Sequence, residues 1–174
     1  MVRLALAILF FCTTLAPEAK NAAPDAPLAL AVSGGGEPRT FHIVLRNTSN
    51  APVHVLLGVG NGNGEISLGA FSFHVVDATG RKMEFVAFGI VIVGVVNFIQ
   101  QEIAPGQAWS GDIPLETLVL TEHLENPRTA DTLAPGAYTV QAVFQGRRRD
   151  WPPDPAPFWI GTVQSPTTPY VIAK

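Results

Sequence analysis

Short stretches of alternating apolar and polar residues are the feature of this sequence that most restricts its fold. Apolar side chains occupy every second position in residues 41–45, 53–57, 71–75 and 138–144. A period of two places these side chains on one face of an extended strand, whereas an amphipathic helix repeats every 3.6 residues. The chain also has 15 prolines and 16 glycines, the residues that most often form turns. The pattern predicts strands joined by turns.

Further strand patterns bring the total to seven to nine strands, spaced about 8 to 15 residues apart. They lie at residues 28–32, 82–88, 159–163 and 170–172. Only residues 115–124 have a helical pattern, and Glu122 and His123 interrupt it, so any helix is short. The sequence therefore predicts an all-β fold, an immunoglobulin-like antiparallel β-sandwich.

The triplet Ala-Pro-Gly occurs twice, at residues 104–106 and 134–136, each time before an alternating stretch. Proline fixes φ near −65° and glycine accepts a positive φ, which are the needs of the two central residues of a type II turn. Both triplets are predicted to form such turns.

The N-terminus has the three parts of a signal peptide: Arg3, an apolar run over residues 4–15, and a segment rich in small residues up to Ala23. The run is shorter than the roughly 20 residues of a membrane-spanning helix, so stable membrane insertion is not expected. Large residues precede Cys12, which argues against lipoprotein processing. We expect a signal peptide at 1–23 and one domain at 24–174, secreted or periplasmic.

Charge and cysteine content exclude several functions. Cys12 is the single cysteine and lies in the predicted leader, which excludes disulfides, a thiol nucleophile and thiolate metal sites from the domain. The whole chain carries a formal charge of −3. Binding to nucleic acid depends on many lysine and arginine contacts to phosphate, so no nucleic-acid partner is expected.

The order of motifs resembles that of small bacterial secreted immunoglobulin-type domains, including the BsuPI-like proteinase-inhibitor domain. The resemblance covers most of residues 41–144. It rests on Asn47 and Pro52-Val53 after the phenylalanine-led strand, residues 71–75 followed by Asp77 and Gly80, and the two Pro-Gly pairs, the second with Tyr138. It implies an immunoglobulin-like fold and proteinase inhibition.

The candidate binding site is the loop in which Arg147, Arg148 and Arg149 precede Trp151. Arginine and tryptophan dominate the energetics of protein interfaces, because they offer charge, hydrogen bonds and large contact area. No catalytic motif is present, so we expect no enzyme and no cofactor. The leading interpretation is an exported, non-enzymatic interaction or accessory domain with a protein partner. The alternatives are a BsuPI-like proteinase inhibitor and, third, a periplasmic metal-binding protein.

Four further features have ordinary structural explanations. The metal alternative would need His42, His54 and His74 to converge, but each is out of phase with its apolar neighbours, so we expect them at separate solvent-facing positions. Residues 58–64 are glycine-rich and predict a turn without a phosphate-binding motif. The sequon at Asn47 fits a turn. The almost wholly apolar residues 85–99 predict a buried strand or hairpin, or an exposed contact surface.

Overall fold

The structure, a computed structural model, describes residues 26–61, 65–87, 97–123, 130–147 and 157–173. Within these ranges the chain forms twelve strands and three short 3₁₀ turns, and no helix there is long and apolar enough to span a membrane. The 3₁₀ turns are Leu115–Thr117, Thr121–His123 and Ala130–Thr132. The strands are β1 Leu28–Gly34, β2 Thr40–Asn47, β3 Val53–Gly60, β4 Ile66–Ser67, β5 Phe71–Asp77, β6 Lys82–Ala87, β7 Asn97–Ile103, β8 Ala108–Pro114, β9 Leu118–Leu120, β10 Gly136–Gly146, β11 Gly161–Gln164 and β12 Thr168–Ile172.

All paired strands are antiparallel and form three sheets. Sheet I has the order β1-β2-β8, and sheet III has the order β4-β3-β7. Sheet II has the order β11-β10-β5-β6-β9, and β12 also pairs with β10. The predicted all-β, antiparallel architecture is confirmed, and its packing is sandwich-like.

The alternation of apolar and polar residues in the sequence corresponds to an alternation of buried and exposed side chains along the strands. In β2 the side chains of Phe41, Ile43 and Leu45 are buried, whereas those of the residues between them are partly exposed. β5 repeats this pattern with Phe71, Phe73 and Val75. Each strand therefore offers one apolar face, and the sheets associate because these faces leave water together.

Aromatic contacts join sheet I to sheet II. The ring of Phe41 in β2 lies 4.9 Å from the ring of Phe73 in β5 and 4.9 Å from the ring of Tyr170 in β12. Farther along the interface, Trp109 of β8 stacks on Phe71 at 5.6 Å. Offset and edge-on arrangements at these distances are favourable for aromatic rings. The same core also includes side chains of sheet III, such as Val55 and Leu57 of β3.

A bulge in β3 allows the short strand β4 to approach it. The register between β3 and β7 shifts between Leu56 and Gly58. A Cβ atom at Gly58 would overlap the carbonyl oxygen of Ser67 in β4. Only glycine fits this position, and bulges with glycine commonly mark such close approaches of two backbones.

The end of β2 is fixed by the buried side chain of Asn47. Its amide nitrogen donates hydrogen bonds to the carbonyls of Ala51 (2.7 Å) and Ile103 (2.8 Å), and its amide oxygen accepts from the backbone and hydroxyl of Ser49. The side chain thus ties the β2–β3 turn to the end of β7. Because Asn47 is 0% exposed, the sequon has a structural role in the folded chain.

Three sequence predictions differ from the structure. The stretch predicted as a short helix at 115–124 contains a 3₁₀ turn, strand β9 and a second 3₁₀ turn, because Leu118 and Val119 pair with β6. Twelve strands replace the expected seven to nine, because the pattern does not resolve strands as short as β4 and β9 and also gave no separate strand for β7 and β8. Of the two Ala-Pro-Gly triplets, the first forms the predicted turn, with a φ of 73° at Gly106 and a 3.0 Å bond from the Gln107 N–H to the Ala104 carbonyl. The second does not, because Gly136 begins β10.

Candidate functional site

The arginine cluster of the sequence begins at the end of β10. Arg147 is the residue after this strand; it is exposed, and its guanidinium donates a 3.1 Å hydrogen bond to the side chain of Gln145. Arg148, Arg149 and Trp151 lie outside the described residues. The structure therefore places one of the four predicted binding residues, at an open corner of sheet II.

Trp159, in the segment before β11, packs on the core face of β10 over Phe144 and Gly146, whereas Arg147 lies with Gln145 on the opposite, exposed face. Trp159 is partly buried, its ring stacks on Phe144 of β10 at 5.9 Å, and its backbone N–H donates a 2.8 Å hydrogen bond to the carbonyl of His54 in β3. These contacts hold the indole against sheet II and link that sheet to sheet III.

Two glycines make room for this indole. A Cβ atom at Gly146 would lie 2.5 Å from Cε3 of Trp159, and a Cβ atom at Gly161 would lie 2.6 Å from its Cζ2. The two glycines face each other as partners in the β10–β11 ladder. The indole therefore covers a glycine pair, an arrangement in which an aromatic ring shields backbone that has no side chain of its own.

Ile160 completes the surface. It is 53% exposed, although it is a large apolar residue. Gly146 pairs with Gly161, so Arg147 and Ile160 are the next residues on the two neighbouring chain segments. We call the exposed residues Arg147 and Ile160 the Arg147 surface, which Trp159 supports from the core face of the sheet. The sequence contains an indication of this surface. Residues 158–160 are three large apolar residues in a row, and successive side chains of an extended chain cannot all point toward the core.

The three histidines considered as metal ligands lie on three different sheets, as expected. His42 is in β2 of sheet I, His54 in β3 of sheet III and His74 in β5 of sheet II. Their side chains are 37%, 34% and 46% exposed. In the described ranges, no three histidine, cysteine or acidic side chains come together in a way that could hold a metal ion.

Each of these histidines instead faces a carboxylate directly across its ladder. His42 pairs with Asp112, and its Nδ1 lies 2.7 Å from the carboxylate oxygen. His54 and His74 have the same relation to Glu102 and Glu84, at 3.2 Å and 3.9 Å. Directly facing side chains on neighbouring strands are the contacts that stabilise a strand pair. Cross-strand pairing with a carboxylate therefore explains the positions of the three histidines.

The apolar run at 85–99 is described only at its ends. Phe85 is buried in β6, whereas Ile99 in β7 is partly buried, and residues 88–96 lie outside the described part. Ala87 and Ile99 both line a groove of about 390 Å³, together with Trp109 of β8. The two ends of the run therefore meet at one apolar groove.

No protein-family model matches the chain, and no curated protein matches it. The described residues form an all-β, sandwich-like fold of antiparallel sheets that presents Arg147 and the exposed Ile160 at the end of the β10–β11 ladder.

Proposed function

We propose that this chain is an exported, non-enzymatic interaction domain of immunoglobulin-like type, and that it captures a protein partner through the Arg147 surface. The observation that carries the proposal is the position of the exposed residues Arg147 and Ile160 next to each other on neighbouring chain segments, with the packed indole of Trp159 holding the second segment in place. The signal peptide expected at residues 1–23 provides the export, and a secreted or periplasmic protein is the expected partner.

The chemistry of the Arg147 surface suits protein binding. Trp159 is fixed by Phe144 and by its backbone bond to His54, so the segment that carries Ile160 is ordered before a partner binds. A contact side chain that is ordered before binding loses little entropy when the complex forms. Ile160 adds apolar area beside it, and Arg147 can form charge-assisted hydrogen bonds with a carboxylate. Arginine and tryptophan are enriched among residues that dominate binding energy.

The proposed immunoglobulin-like type is supported by the arrangement of the sheets. Sheets I and II pack through Phe41, Phe73 and Tyr170, and every strand pair is antiparallel. Two of the turns that carried the family resemblance also fit it, since Gly80 and Gly106 have φ values of 87° and 73°, whereas the second Pro-Gly pair leads directly into β10. Domains of this architecture commonly bind through loops and strand ends at one end of the sandwich.

The test compares two double variants as bait for proteins of the cell envelope and the medium. Arg147→Glu with Ile160→Ser changes the Arg147 surface and leaves the packed indole in place. Lys82→Glu with Val171→Ser is the matched control, because it changes an exposed cation and a 71% exposed apolar residue elsewhere. We expect the wild type and the control to enrich the same partner. The Arg147-surface variant should capture at least tenfold less of this partner, as measured by quantitative mass spectrometry.

Two results would contradict the proposal. One is equal capture of the partner by both variants, which would place the contact elsewhere. The other is the absence of any protein enriched by the wild type over the Arg147-surface variant. Unfolding midpoints of all three proteins show whether the substitutions leave the fold intact. If the captured partner is a proteinase, a stoichiometric activity assay with the same variants tests the inhibitor alternative directly.

A further inference from the structure

A second opening lies at the far end of sheet II from the Arg147 surface. This end cleft has a volume of about 520 Å³ and is lined in part by Tyr138 of β10. Tyr138 and Arg147 are separated by most of the length of β10, about 30 Å of extended chain. The end cleft is therefore a separate feature of the molecule.

The floor of the end cleft is apolar. Met83 and Phe85 project into it from β6, Leu120 comes from β9, and Leu133 comes from the segment after the last 3₁₀ turn. The first three are buried parts of the core, and Leu133 packs partly buried against them. A cleft with an apolar floor and a few polar groups at its rim is the usual form of a site for a small molecule.

The rim carries a row of three polar side chains across neighbouring strands. Tyr138 of β10 faces Asp77 of β5 in the ladder, and the Asp77 N–H bonds to the carbonyl of Arg81, the residue before β6. The order across the rim is thus phenol, carboxylate and guanidinium. The Tyr138 hydroxyl donates to the Ala134 carbonyl at 2.7 Å, which leaves its oxygen free to accept a hydrogen bond.

The carboxylate of this row is held in its ionised form. The Thr79 hydroxyl, together with the backbone N–H groups of Arg81 and Thr79, donates hydrogen bonds that lower the pKa of Asp77, and the nearby Arg81 charge acts in the same direction. Asp77 and Arg81 do not form a salt bridge with each other. In the described part of the chain, no group accepts a hydrogen bond from the Arg81 guanidinium. The rim therefore presents one negative and one positive group that are close but not joined.

We propose that the end cleft binds an α-amino acid with an apolar side chain. The carboxylate of the amino acid pairs with Arg81, its ammonium group donates to Asp77 and to the Tyr138 oxygen, and its side chain lies on the apolar floor. Opposite charges on one small carbon centre match the separated charges of the rim, and a guanidinium binds a carboxylate through two parallel hydrogen bonds. Neither a simple fatty acid nor an alkyl amine would satisfy both rim charges.

The first test measures binding of L-leucine to the purified chain by isothermal titration calorimetry. Three analogues each lack one recognised part: N-acetyl-L-leucine lacks the ammonium group, L-leucinamide lacks the carboxylate, and glycine lacks the side chain. We expect leucine to bind and each analogue to bind about tenfold more weakly or worse, the effect of losing one charge-assisted hydrogen bond or a buried apolar side chain.

The second test uses variants that show which rim residue binds the carboxylate of leucine and which binds its ammonium group. Arg81→Gln should weaken leucine binding by about tenfold and remove the preference over L-leucinamide. Asp77→Asn keeps the oxygen that accepts from Thr79 but removes the charge, so it should remove the preference over N-acetyl-L-leucine. Arg147→Gln is the matched control and should leave leucine binding unchanged.

The proposal is overturned if leucine, phenylalanine and methionine all fail to bind, or if leucinamide and N-acetyl-leucine bind as tightly as leucine. It is also overturned if Arg81→Gln leaves the affinity unchanged. Because the Arg81 side chain forms no hydrogen bond with the described residues, this variant should keep the wild-type unfolding midpoint and remains informative if Asp77→Asn is unstable. None of these results depends on the Arg147 surface.

Discussion

A single buried amide, that of Asn47, connects parts of the molecule that are far apart in sequence. Its hydrogen bonds to Ala51 and Ile103 span the β2–β3 turn and the end of β7. Its own backbone extends the connection, because the Asn47 N–H donates to the Gln107 carbonyl and the Gly106 N–H donates to the Asn47 carbonyl. One residue of sheet I thus fixes the β7–β8 turn, which connects sheet III back to sheet I.

Asn47→Ala should therefore lower the free energy of unfolding by about 2–4 kcal/mol, since it removes the hydrogen bonds of a buried amide to Ala51, Ile103 and Ser49. Urea denaturation measures the change. Asn50→Ala is the matched control, because Asn50 lies in the same turn but is exposed, and it should change the free energy by less than about 0.5 kcal/mol. Equal effects of the two substitutions would show that the buried amide is not the important group.

Strands β11 and β12 form one interrupted edge of sheet II. β11 pairs with residues 143–146 of β10, and β12 pairs with residues 136–140 of the same strand. Between them, the Ser165 hydroxyl accepts a 2.9 Å hydrogen bond from the Ala142 N–H and donates to the Pro166 carbonyl at 2.8 Å. The Ser165 N–H also donates to the Ala142 carbonyl at 2.9 Å. Ser165 thus satisfies the ladder at the point where regular pairing is broken.

Ser165→Ala removes the acceptor of the buried Ala142 N–H and should destabilise the fold by roughly 1–3 kcal/mol. The Ala142 amide should then exchange its hydrogen faster than in the wild type, as measured by amide hydrogen exchange. Ser110→Ala in β8 changes an exposed serine and is the control. Unchanged protection of Ala142 would mean that the hydroxyl does not hold this part of the ladder.

The sequence predicts elements whose apolar residues alternate over five or more positions. β2, β3, β5 and β10 lie where residues 41–45, 53–57, 71–75 and 138–144 indicate them, because burial of one face determines the register. β4 and β9 have two and three residues, too few for a period to be visible. Their positions depend on tertiary contacts, such as the approach of Ser67 to Gly58, that no local pattern encodes.

The candidate site, like the set of strands, could be predicted from the sequence only in part. Arg147 is recognisable as part of a charged cluster, but Ile160 is brought next to it only by the pairing of Gly146 with Gly161. The end cleft was not predicted at all, because Tyr138, Asp77 and Arg81 meet only through the β10–β5 ladder and the turn before β6. Residues that are individually ordinary become a candidate site only when the sheet order is known.

At the scale of the whole molecule, Tyr170, which is buried in the core, makes the free energy of unfolding depend on pH in the alkaline range. Burial raises the pKa of Tyr170, while the Arg39 charge and a hydrogen bond with the Thr40 backbone partly oppose this effect. An unfolded chain loses this proton near pH 10. The folded chain holds it to a higher pH, so the free energy of unfolding is unaffected by this group below pH 10 and falls as the pH rises through the raised pKa.

Tyr170→Phe keeps the ring that packs on Phe41 and removes the ionisable hydroxyl. We expect the free energy of unfolding of the wild type to fall more steeply between pH 10 and pH 11.5 than that of the variant, as measured by urea denaturation at each pH. Tyr138→Phe, which changes the chain's only other tyrosine, is the control and should retain the steep fall. Parallel pH profiles for wild type and Tyr170→Phe would contradict the assignment.

The distribution of the histidines gives each sheet its own spectroscopic reporter. His42, His54 and His74 each belong to a different sheet, and each faces a carboxylate on the next strand. The imidazole C–H protons of four histidines can be resolved in a one-dimensional NMR spectrum; once a His123→Gln variant identifies the signal of His123, each of the other three responds to loss of its facing strand. One spectrum recorded during thermal or urea denaturation would therefore follow sheets I, II and III separately, and would show whether the sandwich-like fold melts as a single unit or sheet by sheet.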